Sequence, residues 1–155
     1  MKRPEHAVAA FRKLRDSVPN ARLWVIGDGP LLERLQGEGA PGVELLGRVS
    51  GEELRERLAR AHVHAATAVR EGWGLNVSEA AACGTPSIGY AVPGLVDSIR
   101  ASGGALVDPN PAALAEALGR FFGGELELRP TVSTVPWEDV ATLVEQRLSE
   151  AARRA

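Results

Sequence analysis

The stretch REGWGLNVSEAAACGTP, residues 70–86, sets two carboxylates, Glu71 and Glu79, around a run that holds Gly72 and Gly74. A carboxylate accepts two hydroxyl hydrogen bonds well. The small residues after Gly74 suit a helix, and the first amides of a helix have no internal acceptor. Those amides carry the positive end of the dipole and favour phosphate. Glycines lack a Cβ and let the backbone come close to such a group. Acid, helix start and second acid match the layout of a sugar nucleotide: hexose hydroxyls, a diphosphate, then ribose hydroxyls. Glutamates near a helix start also occur simply to offset the dipole. Spacing alone leaves both readings open.

The elements that must position this stretch alternate. Pro4 to Asp16 reads as a helix, with Ala7, Val8, Phe11 and Leu14 on one face. ARLWVIG (21–27) is a short apolar strand, the DGP turn follows, and Leu31 to Gln36 are helical. VELLG (43–47) is the next strand. Ser50 is the expected N-cap of a helix from Gly51 to Arg60, with Glu53 completing a capping box. Leu54, Leu58 and Ala61 form its apolar stripe. VHAAT (63–67) is a strand, Leu75 to Cys83 a helix and PSIGYA (86–91) a strand. A short helix over 95–101, a strand GALV (104–107) and a helix from Pro111 come next. Residues 123–136 form a connection, and Trp137, Val140, Ala141, Val144 and Leu148 stripe a last helix over 137–155.

Strands alternating with helices imply parallel pairing. The expected fold is α/β, a Rossmann-like doubly wound parallel sheet in one domain spanning 1–155. In such a sheet ligands bind outside the carboxyl ends of the strands, where residues 68–74 lie. The chain opens on a helix, whereas a doubly wound domain usually opens on a strand, so a first strand is expected upstream of Met1. An exposed sheet edge tends to pair with another chain, which makes a homodimer through that edge one expectation.

The totals narrow the function. With 45% apolar residues the 155-residue chain is globular. A net charge of −2 gives no electrostatic reason to expect nucleic acid. The single cysteine, Cys83, excludes an intramolecular disulfide and a cysteine-based zinc site. No apolar run approaches the roughly 18 residues of a membrane span, and there is no signal core. The expected location is cytoplasmic, with membrane association of a full-length protein left open. Lysine occurs only at Lys2 and Lys13.

Several residues have bland readings. His62 and His64 flank a strand without a partner at catalytic spacing. Cys83 in its Ala-rich helix is a small core hydrophobe. Asp28 reads as a turn residue. Trp73 serves packing or a sugar platform equally well.

The segment EGWGLNVSEAAACGTPSIGY resembles the E-x7-E segment of retaining glycosyltransferases of the GT-B fold, specifically family 4. VIGDGP (25–30), LLGRVS (45–50), VPGLVDSI (92–99) and GGALVDPNPAALAEAL (103–118) match further segments of that pattern in order. KRPEHAVAAF (2–11) resembles the first helix of the family's C-terminal domain, and WEDVA (137–141) the start of its final helix. The resemblance covers nearly the whole chain.

It implies a role for each matching residue. Glu71 would contact the hydroxyls of the transferred sugar, and the amides of Gly72, Trp73, Gly74 and Leu75 would line sugar and diphosphate. Glu79 would bind the ribose hydroxyls. Lys2 would neutralise the departing diphosphate. The Gly47-Arg48-Val49 turn would lie against the base through its backbone. The family's arginine before the lysine and its N-terminal domain, which supplies a sugar or lipid-linked acceptor site, have no counterpart in the sequence. By this resemblance the chain is a donor-binding half, inactive alone, with a nucleotide-diphosphate sugar as substrate and no cofactor.

No Asp-x-Asp pattern occurs, so charge at the leaving group would come from Lys2 and the helix start, without metal. Three rivals stand beside this reading. A dinucleotide-dependent oxidoreductase needs a third glycine where GDGPLL has Leu32. A non-catalytic nucleotide-binding or regulatory module remains open for the chain as given. A nucleotide-sugar epimerase of the same fold is disfavoured by the E-x7-E pattern.

Overall fold

A computed structural model describes residues 2–132 and 137–153. Residues 133–136, part of the expected connection, and the expected helix end at 154–155 lie outside the described residues, as does Met1. The order of elements is α1 (Pro4–Leu14), β1 (Leu23–Ile26), α2 (Leu32–Glu38), β2 (Val43–Gly47), α3 (Gly51–Arg60), β3 (His64–Ala66), α4 (Leu75–Ala82), β4 (Ser87–Tyr90), α5 (Leu95–Ala101), β5 (Ala105–Val107), α6 (Pro111–Phe122) and α7 (Trp137–Ala152). Every expected helix and strand is present, with ends shifted by a residue or two.

Local chemistry fixes the helix starts. The Ser50 hydroxyl accepts from the Glu53 amide at 3.1 Å, which is one half of the expected capping box. Asn110 does the same for Ala113 at 2.9 Å, and Pro111 opens α6. Pro4 opens α1.

All strand pairs are parallel, as the alternation requires. They form two sheets: β1 pairs with β2, and β4 lies between β3 and β5. The expectation of a doubly wound sheet is met in its parallel βα units. The hydrogen-bonded ladder, however, does not run from β1 to β3, so each of these strands keeps an unpaired edge. Helix packing joins the halves. α1 contacts β1 and lies along α6, which covers β4 and β5.

The core sits around β4, all four residues of which are buried. Ala10, Phe11 and Leu14 of α1, Val77 of α4, Leu95 and Ile99 of α5, and Leu114 and Leu118 of α6 form one buried cluster with Ile88 and Tyr90. The Tyr90 hydroxyl meets His6 Nδ1 at 2.9 Å, and burial raises the Tyr90 pKa above its ordinary value. α3 is different. None of its residues is buried, and its Arg57 guanidinium stacks over Trp24 of β1 at 4.9 Å. α7 is different again: Val144 and Leu148 of the expected stripe, and Leu143 outside it, are more than half exposed.

Candidate functional site

β3 ends at Ala66, and the chain then runs through 67–74 to α4. This loop follows the carboxyl end of a parallel strand, where such folds bind ligands. Gly74 is the N-cap of α4 at φ 81°, a left-handed conformation that side chains disfavour. A Cβ there would lie 2.9 Å from both Leu95 Cδ2 and Ser98 Oγ, so α4 can approach α5 this closely only through a glycine. Gly94, at φ 83°, plays the matching part before α5. A Cβ at Gly94 would come within 2.1 Å of the Glu71 carbonyl oxygen. The Glu71 amide also donates to Pro93 O at 3.3 Å. The segment VPGL thus forms a shelf under Glu71.

Glu71 itself is mostly buried, with 17% of its side chain exposed, and it forms an ion pair with Lys2. The Lys2 side chain keeps 66% of its surface exposed. Its ammonium has three donors, and the pair leaves two of them for other acceptors. Lys2 reaches this position through an unusual backbone. Arg3 adopts φ 48° and ψ 56°, and it is the one non-glycine residue at positive φ among those described. That conformation costs roughly 1 kcal/mol. The Thr67 hydroxyl lies 2.8 Å from Lys2 O and 3.0 Å from Arg3 O.

Beyond the helix start, Trp73 and Leu75 are exposed, and the Trp73 indole N–H donates to Ser78 Oγ at 3.0 Å. Glu79 is exposed one turn below Leu75. Residues three and four apart share a helix face, so Leu75, Ser78 and Glu79 form one outer face with Trp73 laid against it. Gly72 is exposed as well.

The inner side of α4 is tied to the sheet. Asn76 Nδ2 lies 3.2 Å from His64 Nε2, and His64 Nδ1 lies 3.0 Å from Ser87 Oγ. Burial, and secondarily the charge of Lys2, push the His64 pKa down to about 4, so the ring is neutral near pH 7. With the amide nitrogen facing Nε2, that atom accepts and Nδ1–H donates to Ser87. Asn76 Oδ1 is then buried without a partner.

Arg48 and Val49 follow β2 of the two-stranded sheet. The Arg48 guanidinium pairs with Asp28 at 3.1 Å, with both side chains largely exposed. Asp28 is thus more than a turn residue: it joins the loops after β1 and β2. Of the residues singled out in the sequence, the structure brings Lys2, Glu71 and the glycine-lined start of α4 together. Arg48 bonds to Asp28 instead of to that group.

Three features escaped the sequence: the pairing of Lys2 with Glu71, the Thr67 bridge, and the Asn76–His64–Ser87 chain. Each joins residues distant in sequence. Among the described residues no group of three or more His, Cys, Asp or Glu side chains could hold a metal ion. No helix among them is long and apolar enough to cross a membrane.

Comparison with known proteins adds a family. Residues 1–132 match the family model described as glycosyl transferases group 1. Over 137 residues the chain is 39% identical to an exopolysaccharide phosphotransferase of Streptomyces coelicolor, covering 83% of this chain and 14% of that protein. Over 120 residues it is 34% identical to a GDP-mannose-dependent alpha-(1-6)-phosphatidylinositol dimannoside mannosyltransferase of Mycobacterium tuberculosis, covering 76% of this chain and 31% of that one. The chain therefore spans less than a third of either relative. Among solved structures, sucrose-phosphate synthase from Thermosynechococcus elongatus superposes with a TM-score of 0.70 at 25% identity, over 96% of this chain and 43% of that one.

Proposed function

The chain belongs to the glycosyl transferases group 1 family, and from that premise we propose that it is the donor-binding, C-terminal part of a GT-B glycosyltransferase that holds a nucleotide-diphosphate sugar. The observation that carries this reading is the Lys2–Glu71 pair set before the glycine-capped start of α4. The two residues are 69 positions apart in the chain, and the pair joins a cation suited to a diphosphate with an acid suited to hydroxyls.

In this reading the free amides from Gly72 to Leu75 receive the diphosphate at the positive end of α4. Lys2 donates to the same oxygens as the bond to the sugar breaks and negative charge grows on the leaving group. One well-placed donor of this kind is worth roughly 3 kcal/mol of barrier. Glu71 accepts hydrogen bonds from the hydroxyls of the transferred sugar and is held in place by its pair with Lys2. Glu79 binds the ribose diol, and the Gly47-Arg48-Val49 turn borders the base.

Retention of configuration and transfer without metal belong to the same proposal. They are supported by the family resemblance and by a cation and helix start that supply the charge a metal would otherwise bring. The acceptor, a sugar or a lipid-linked sugar, would be bound by another domain of a longer protein. The name of the mannosyltransferase relative, which declares a GDP-sugar donor, supports a nucleotide-sugar donor here. The phosphotransferase relative is matched over so small a share that its name adds little.

Isothermal titration with UDP, GDP and ADP tests the reading. At least one should bind, and Glu79→Ala should weaken that nucleotide roughly tenfold or more, the value of charge-assisted hydrogen bonds to a diol. Affinity unmoved by Glu79→Ala would remove Glu79 from the ribose site. Failure of all three to bind would remove the donor reading.

A further inference from the structure

Thr67 follows β3 directly and is 6% exposed. Its hydroxyl stands between two successive carbonyls, 2.8 Å from Lys2 O and 3.0 Å from Arg3 O. A β-branched side chain has few rotamers, so the hydroxyl is held where it is by the strand. The carbonyls it engages belong to the one stretch where a non-glycine residue takes a left-handed backbone, Arg3 at φ 48°. That residue is the N-cap of α1. On its far side the Lys2 side chain meets Glu71, four residues beyond Thr67. One hydroxyl thus links the end of β3 to the turn that aims the ammonium. Nothing in the sequence around Thr67 marks it, because its partners lie 64 and 65 residues away.

We propose that Thr67 is a positioning residue for donor binding: its hydroxyl holds the left-handed Lys2–Arg3 turn and so delivers the Lys2 ammonium to Glu71 and to the diphosphate. The proposal rests on the donor reading above. Thr67 touches no ligand in it; it acts through Lys2. Loss of the hydroxyl frees Arg3 to relax toward ordinary backbone angles, and the ammonium then spends less time at the site.

The test compares nucleoside diphosphate with monophosphate, GDP against GMP and UDP against UMP, by titration of the 155-residue chain. The affinity ratio within a pair isolates what the second phosphate gains. Thr67→Val removes the hydroxyl at nearly constant shape, and Thr67→Ala serves the same comparison if the valine variant fails to fold. The expected result is a fall in the diphosphate preference of about threefold to tenfold, the range of one hydrogen bond, with little change for the monophosphate. Thr67→Ser should restore the preference. In a Lys2→Ala background, Thr67→Val should change the preference no further. Trypsin gives a ligand-free readout: cleavage after Lys2 should be faster in Thr67→Val than in wild type or Thr67→Ser.

Equal weakening of mono- and diphosphate would mean a general structural role and would overturn the proposal. So would a diphosphate preference that falls in Lys2→Ala but not in Thr67→Val. A preference unchanged in Lys2→Ala would instead sink the donor role of Lys2, and with it any role of Thr67 in binding.

Discussion

His64 is held between Asn76 and Ser87, with a hydrogen-bond partner at each ring nitrogen. Its pKa, depressed to about 4 by burial and then by Lys2, makes it a source of acid sensitivity. An unfolded histidine titrates near 6.5. Between that value and about 4 the unfolded chain binds a proton that the folded chain refuses, so stability is complete above pH 6.5 and is lost as pH falls. The full difference amounts to roughly 2–3 kcal/mol, since partial exposure of the residue trims the ideal value. Urea midpoints measured at pH 7 and pH 4.5 should therefore fall more steeply for wild type than for His64→Gln, which carries no titrating ring. Parallel slopes would mean that the ring protonates freely in the fold. The same chain of bonds anchors the first turn of α4 to β3 and β4, and it stiffens the helix whose tip faces the diphosphate in our reading.

Two neighbouring helix starts, those of α4 and α5, are packed through glycine, and here element geometry decides which substitutions matter. Gly94 and Gly84 share a positive φ, 83° and 82°. A Cβ at Gly94 would collide with the Glu71 backbone at 2.1 Å, whereas one at Gly84 meets nothing within 4 Å. Gly84→Ala should cost only the left-handed penalty of about 1 kcal/mol. Gly94→Ala should cost a positive-φ penalty of at least that size plus about 1–3 kcal/mol of overpacking, and it should weaken nucleotide binding because Glu71 must move. Chemical denaturation of both variants with titration of the same nucleotide checks this. Equal losses from the two would show that the shelf beneath Glu71 yields freely.

At the scale of the whole molecule, the sequence yielded what local chemistry writes into it. Ser50 capped the helix it preceded, Pro111 opened the next-to-last one, and apolar runs such as SIGY became buried strand. Contacts across the fold were beyond it. Lys2 and Glu71 were each marked for a diphosphate or a sugar, yet their pairing with one another was not, because residues 69 apart meet only once the topology is set. The division of the strands into two sheets was equally hidden, since pairing depends on which edges face. α7 shows the limit most sharply. Its apolar periodicity announced a helix, and a helix is there, but periodicity does not say what covers the stripe. Val144 and Leu148 of that stripe and Leu143 outside it are 51%, 65% and 55% exposed, and among the described residues α7 has no substantial packing against another element. Buried apolar area, not helix content, supplies stability. Ending the chain after Val132 should therefore leave the urea midpoint and the nucleotide affinity almost unchanged, while helical circular dichroism drops by the share of α7. The slope of the urea transition should barely change too, since it follows the surface exposed on unfolding, and α7 adds little. A truncated chain that loses more than about 1 kcal/mol, a large fraction of the stability of a domain this size, would mean that α7 packs on the body of the protein in solution.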